Sequence, residues 1–161
     1  MVYRVRDIPR TALHTLLDKY SLRLHWVDAA KPIPGSFWGE TEAGLIGDGV
    51  YVRHDTPVHS LLHETCHYVC MDDRRRRGLH TDAAGDYAEE NAVCYLQILL
   101  ADHLPGTDRF RQMQDMDAWG YSFRLGSARD WFERDAEDAK DWLRRFELID
   151  TQEQPTWQLR C

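Results

Sequence analysis

Residues 59–70 read HSLLHETCHYVC, which gathers three histidines, one glutamate and two cysteines into twelve positions. Inside it, His63-Glu64-Thr65-Cys66-His67 has the spacing H-E-x-x-H. On a helix the two histidines stand one turn apart on one face, about 6 Å along the axis. At that separation both imidazoles reach a single zinc ion at ~2.1 Å. Glu64 projects to the adjoining side, placed to take a proton from a metal-polarised water without itself being a ligand. A Lewis acid paired with a base is what hydrolysis of an amide requires.

A zinc site with an open catalytic position needs a third protein ligand. His59 lies on the same stripe but about 12 Å of axial rise from His67, so only an outer role suits it. Asp73 falls where the extended pattern H-E-x-x-H-x-x-G-x-x-H puts its last ligand, but Cys70 replaces the glycine that turns the chain. Glu89 and Glu90, after an intervening loop, are the stronger candidates. Ala88, Ala92, Tyr95, Leu96 and Leu99 mark the expected buried face of their helix. Glu89 then falls about 50° from the centre of that face and Glu90 about 150° away. Glu89 is therefore the expected third ligand and Glu90 the second choice. A capping box with Asp86 is the competing role for Glu89. A di-iron site is disfavoured because no second E-x-x-H accompanies Glu64-x-x-His67. A structural zinc on Cys66, Cys70 and Cys94 lacks the C-x-x-C knuckle.

The elements around these residues follow from periodicity and punctuation. Residues 9–19 read as a short amphipathic helix with Pro9 near its start, and 22–27 alternate as a half-buried strand. Prolines and glycine make 30–36 a loop, and two or three short strands follow, the last at 50–53. Thr56 and Pro57 suit the start of a helix over 57–71. A polar loop to residue 85 precedes a helix from about 86 to 103. Residues 107–117 read as helical and 118–127 as irregular. Ser127 is placed to cap one final helix, with Phe132, Ala136, Ala139, Leu143 and Phe146 at helical spacing. Strands first and helices afterwards give an α+β class, a single domain over 1–161 with its core at about 10–103 and a helical extension at about 107–150.

Composition narrows the function. The 161 residues are 43% hydrophobic and 29% charged, with a net charge of −7, ordinary for a globular chain and opposed to a nucleic-acid surface. No apolar stretch suits a signal peptide or a membrane span; the richest run, AVCYLQILLA, is interrupted by Gln97. Four cysteines make no disulfide scaffold, and Cys66 and Cys70 are expected to pack their helix in a reduced, cytoplasmic protein. The basic run Arg74–Arg77 reads as a solvated loop, and the tryptophans at 119, 131, 142 and 157 as helix packing.

The pattern resembles the gluzincin-type zincin metallopeptidases, in which H-E-x-x-H on one helix is joined by a glutamate on the next. In layout it is similar to the compact ImmA/IrrE-type peptidases. EENAVCYLQILL resembles their E-x-x-A-[ND]-x-F-A segment, with Glu89, Ala92 and Tyr95 in matching places, and the resemblance covers roughly residues 10–101. It implies a small zincin-like domain with one zinc per chain, held by His63, His67 and Glu89, Glu64 as general base, and a peptide or protein substrate. The strand at 50–53 would then lie beside the cleft and offer backbone groups to an extended peptide. His80, Tyr121 and Arg124 are the candidate donors to a developing oxyanion. The rival expectations are a non-catalytic zinc-containing interaction module and a metal-free interaction domain.

Overall fold

The computed structural model describes residues 1–161. Three strands, β1 (Arg23–Trp26), β2 (Gly44–Ile46) and β3 (Gly49–Val52), are accompanied by seven α-helices. These are α1 (Arg10–Asp18), α2 (Val58–Cys70), α3 (Asp73–Arg77), α4 (Tyr87–Ala101), α5 (Arg109–Trp119), α6 (Ala128–Arg134) and α7 (Glu137–Arg145). The α+β class read from the sequence is the observed one. No helix is long and apolar enough to cross a membrane.

The sheet has the order β1-β3-β2, with β3 parallel to β1 and antiparallel to β2. β3 is thus the central strand, paired on both edges, and cannot offer its backbone to a bound peptide. The outer edge of β2 is also covered. The Leu45 amide donates to the Gly35 carbonyl, and the Thr81 amide donates to the Leu45 carbonyl. The chain at 79–85 therefore runs as a strap beside β2 rather than as a free loop.

A single cluster of 40 buried apolar residues unites α1, the sheet and all the long helices. α4 lies at its centre, and every residue from Ala92 to Ala101 is buried. A helix wrapped on all sides has no single apolar face, so the phase of its hydrophobic residues does not tell which side meets α2. α2 is almost as enclosed: Leu61, Leu62, Cys66, Val69 and Cys70 are buried, and all four cysteines are free thiols.

Other boundaries depart from expectation for local reasons. Pro57, not Thr56, precedes the first turn of α2; the Thr56 hydroxyl accepts instead from the Arg53 amide. Within the polar stretch 71–85, the Asp72 carboxylate accepts from the Arg75 amide and starts the short helix α3. The expected final helix is two, α6 and α7, broken at Asp135–Ala136 with no proline or glycine to announce it.

The last turn of α2 is closed by side chains. Arg76 Nη1 donates to the Tyr68 carbonyl at 2.8 Å, and Arg160 Nη1 to that of Cys70 at 3.2 Å. The backbone amide of Arg160 donates to Val69 at 3.0 Å. Carbonyls that a helix end leaves without partners are thus satisfied by two arginines.

Candidate metal centre

α2 and α4 pack side by side, and this contact builds the site. His63 and His67, one turn apart on α2, turn their Nε2 atoms towards α4. There Glu90 meets them, with Oε1 at 2.9 Å from His63 Nε2 and Oε2 at 3.4 Å from His67 Nε2. Donor atoms of His63, His67 and Glu90 all lie within 4.8 Å of one another. Two ligands at tetrahedral angles on one zinc would be ~3.3 Å apart, so the separations fit that ion without large movement.

The expectation for Glu89 is corrected by this geometry: Glu90, not Glu89, carries its carboxylate to the histidines. Glu89 is buried as expected, at 3% exposure, but on a different side of α4. Its two oxygens accept from Arg75 Nη2 at 2.8 and 2.6 Å, and Oε1 accepts from Arg160 Nη1 at 3.0 Å. Burial raises the Glu89 pKa to about 7, while Arg75 and Arg160 pull it down. Half of the expected capping box is present, since the Glu89 amide donates to Asp86 Oδ1 at 2.9 Å. Glu90 is half open, and its face is that of the cleft.

A residue not singled out by its chemistry completes the support of His63. Gln97 is fully buried seven positions after Glu90, and its Oε1 lies 2.6 Å from His63 Nδ1. Its Nε2 donates to the His59 carbonyl at 3.3 Å, which orients the amide oxygen towards His63. The available signal was a lone polar side chain inside an apolar run, two helical turns from Glu90. His63 therefore has acceptors against both ring nitrogens, whereas a neutral imidazole has one N–H. A cation, a proton or a metal ion, is required between Nε2 and Glu90. Burial opposes charging His63, yet Tyr121, Cys94 and Glu90 together hold its pKa well above the ordinary value. His67 has the contrary balance. Burial and the neighbouring His63 push it down to about 4, against the pull of Glu90, and its Nδ1 is buried without a partner.

Glu64 sits one residue beyond His63 and lines the same cleft. Burial pushes its carboxyl up to about 7; Glu42 and Glu90 add to the rise and His63 opposes it. Glu42 is held by the Ser60 hydroxyl at 2.6 Å and by Trp119 Nε1 at 2.7 Å. The cleft is about 280 Å³ in volume, with His63, Glu64, His67 and Glu90 as its floor. Residues 81–85 form one wall, and Phe37 and Trp38, 55% and 75% exposed, form the other.

None of the three candidate oxyanion donors lines this cleft. His80 is exposed and its Nδ1 lies 2.8 Å from the Thr81 hydroxyl. Arg124 pairs with Asp135 at 2.8 Å. Tyr121 stands behind His63, its hydroxyl 3.2 Å from His59 Nδ1. His59 is itself buried, and Asp73 pairs with Arg76 on α3, so neither joins the cluster.

Compared with protein-family models, curated proteins and solved structures, the chain matches none of them.

Proposed function

We propose that this protein is a zinc-dependent metallopeptidase whose metal is held by His63, His67 and Glu90 and whose general base is Glu64. The observation that carries the reading is the convergence of two imidazole nitrogens and one carboxylate at the floor of a cleft, with a second carboxylate beside them. Two nitrogens and one oxygen are a donor set suited to a catalytic zinc with an open position. Zinc bound there supplies a Lewis acid that lowers the pKa of water and polarises a carbonyl.

The chain's own residues do the rest. Glu64, with its pKa raised to about 7, is matched to taking a proton from water and returning it to a leaving amine near neutrality. Gln97 holds His63 in the orientation that presents Nε2. Phe37 and Trp38 supply exposed apolar surface on one wall, and Thr81 and Asp82 are polar residues on the other. A peptide, which alternates amides with side chains of mixed polarity, suits such a cleft. Three buried free thiols suit a reducing, cytoplasmic setting.

The test is Glu64→Gln. Zinc per chain, read by elemental analysis, should stay at the parent's level while cleavage of a denatured protein substrate falls by a factor of roughly 10²–10⁴. A parent that binds no zinc would remove the proposal. Zinc and cleavage both unchanged in the variant would remove Glu64 from the reaction. Zinc binding with no cleavage by the parent would favour a non-catalytic module.

A further inference from the structure

We infer that the segment carrying Arg160 belongs to the scaffold of the metal centre, with Arg160 and Glu89 acting as positioning residues for Glu90 and His67. The inference rests on the zinc reading above.

The Glu89 carboxylate is costly to bury. A charge removed from water is tolerated only when opposite charges and hydrogen bonds surround it. Here they come from two distant parts of the chain, Arg75 on α3 and Arg160 beyond α7. Glu89 lies in the first turn of α4, directly before Glu90, so whatever holds Glu89 holds the backbone from which Glu90 projects.

The same guanidinium reaches the other ligand helix. Arg160 Nη1 is 3.0 Å from Glu89 and 3.2 Å from the Cys70 carbonyl, one turn beyond His67. The Arg160 amide bonds Val69, and its carbonyl accepts from Arg76. The side chain is held flat by aromatic neighbours, its guanidinium carbon 4.2 Å from the Phe146 ring centroid and 5.1 Å from that of Trp142. Arg160 thus fastens the end of α2 to the start of α4, the two helices whose separation sets the distance between the histidines and Glu90. The cleft wall rests on the same group. A Cβ at Gly85 would stand 2.5 Å from Glu89 Oε2, so only glycine lets the strap pass this close.

Residues that orient metal ligands typically contribute roughly 10- to 100-fold to metal affinity. Zinc dissociation constants, measured by competition with a chromophoric chelator, should therefore rise by about that factor in Arg160→Ala. Circular dichroism of the metal-free variant should show helix content like the parent's. Arg160→Lys keeps the charge but not the planar guanidinium seated against Phe146 and Trp142, and should fall between the two. Leu17→Ala, a core truncation on α1, is the control for destabilisation alone and should bind zinc as the parent does. A folded Arg160→Ala with the parent's zinc affinity overturns the inference. If that variant does not fold, parent-like affinity in Arg160→Lys overturns it instead. A parent that binds no zinc overturns the peptidase reading and this inference with it, which separates the two failures.

Discussion

Replacing Gln97 by leucine keeps the volume and apolar surroundings of a fully buried position while deleting both of its hydrogen bonds. When a metal occupies Nε2 of His63, the ring proton must sit on Nδ1. Gln97 Oε1, at 2.6 Å, is the acceptor for it. Without that acceptor the buried N–H is stranded at a cost of about 1–3 kcal/mol. At 1.4 kcal/mol per tenfold, zinc affinity should weaken by about 5- to 150-fold. That interval overlaps the roughly 10- to 100-fold expected for an orienting partner of a metal-bound histidine. Chelator competition on the purified variant reads the affinity, and a thermal melt of the metal-free form checks that the fold persists. Gln97→Glu, which preserves an acceptor at Nδ1, should keep the parent's affinity within a few-fold. A folded Gln97→Leu that binds zinc within twofold of the parent would refute the reasoning, because the Nδ1 contact would then carry no weight at the metal.

Exchanging the two adjacent glutamates separates ligand from scaffold. Glu90→Ala should lose roughly 100-fold or more in zinc affinity with little change in the metal-free melt, since its side chain is 48% exposed. Glu89→Ala should destabilise the metal-free protein by about 3 kcal/mol, because two partly buried guanidiniums lose their partner, yet still take up one zinc per chain at saturation by elemental analysis. Adding zinc to a hundredfold excess over its dissociation constant should stabilise the parent by about 2.7 kcal/mol. For a chain of this length that is a rise of roughly 5–11 °C in Tm by differential scanning calorimetry, reversed by a chelator.

The α+β class and the helices at 58–70 and 87–101 are legible because apolar runs of helical length, Pro57 and Asp86 mark them locally. His63, Glu64 and His67 are legible for the same reason, since residues four apart share a face on any helix. Glu90 is not, because its phase puts it on the open side of α4, where it does lie at 48% exposure, and nothing local says that the cleft with the histidines opens on that side. Glu89 attracts attention as an inward acid, but its partners, Arg75 and Arg160, lie 14 and 71 residues away, and no local spacing announces the second. Arg76 is hidden in the same manner. It sits in a basic run that reads as solvated, yet it is 8% exposed and turned back onto the end of α2. The break between α6 and α7 escapes notice because apolar spacing continues across it without glycine or proline.

The closure of α2 by Arg160 also sets an order in time. Cys70 and Arg160 are 90 residues apart, so at ~5–20 residues per second the histidine helix is made roughly 5–18 s before the side chain that finishes its last turn. Through that interval the H-E-x-x-H segment exists without the partner that joins it to α4. The nascent chain can thus carry both histidines while still lacking the fixed spacing to Glu90. The final fastening of the histidine helix to α4 is thus left to the later-made segment.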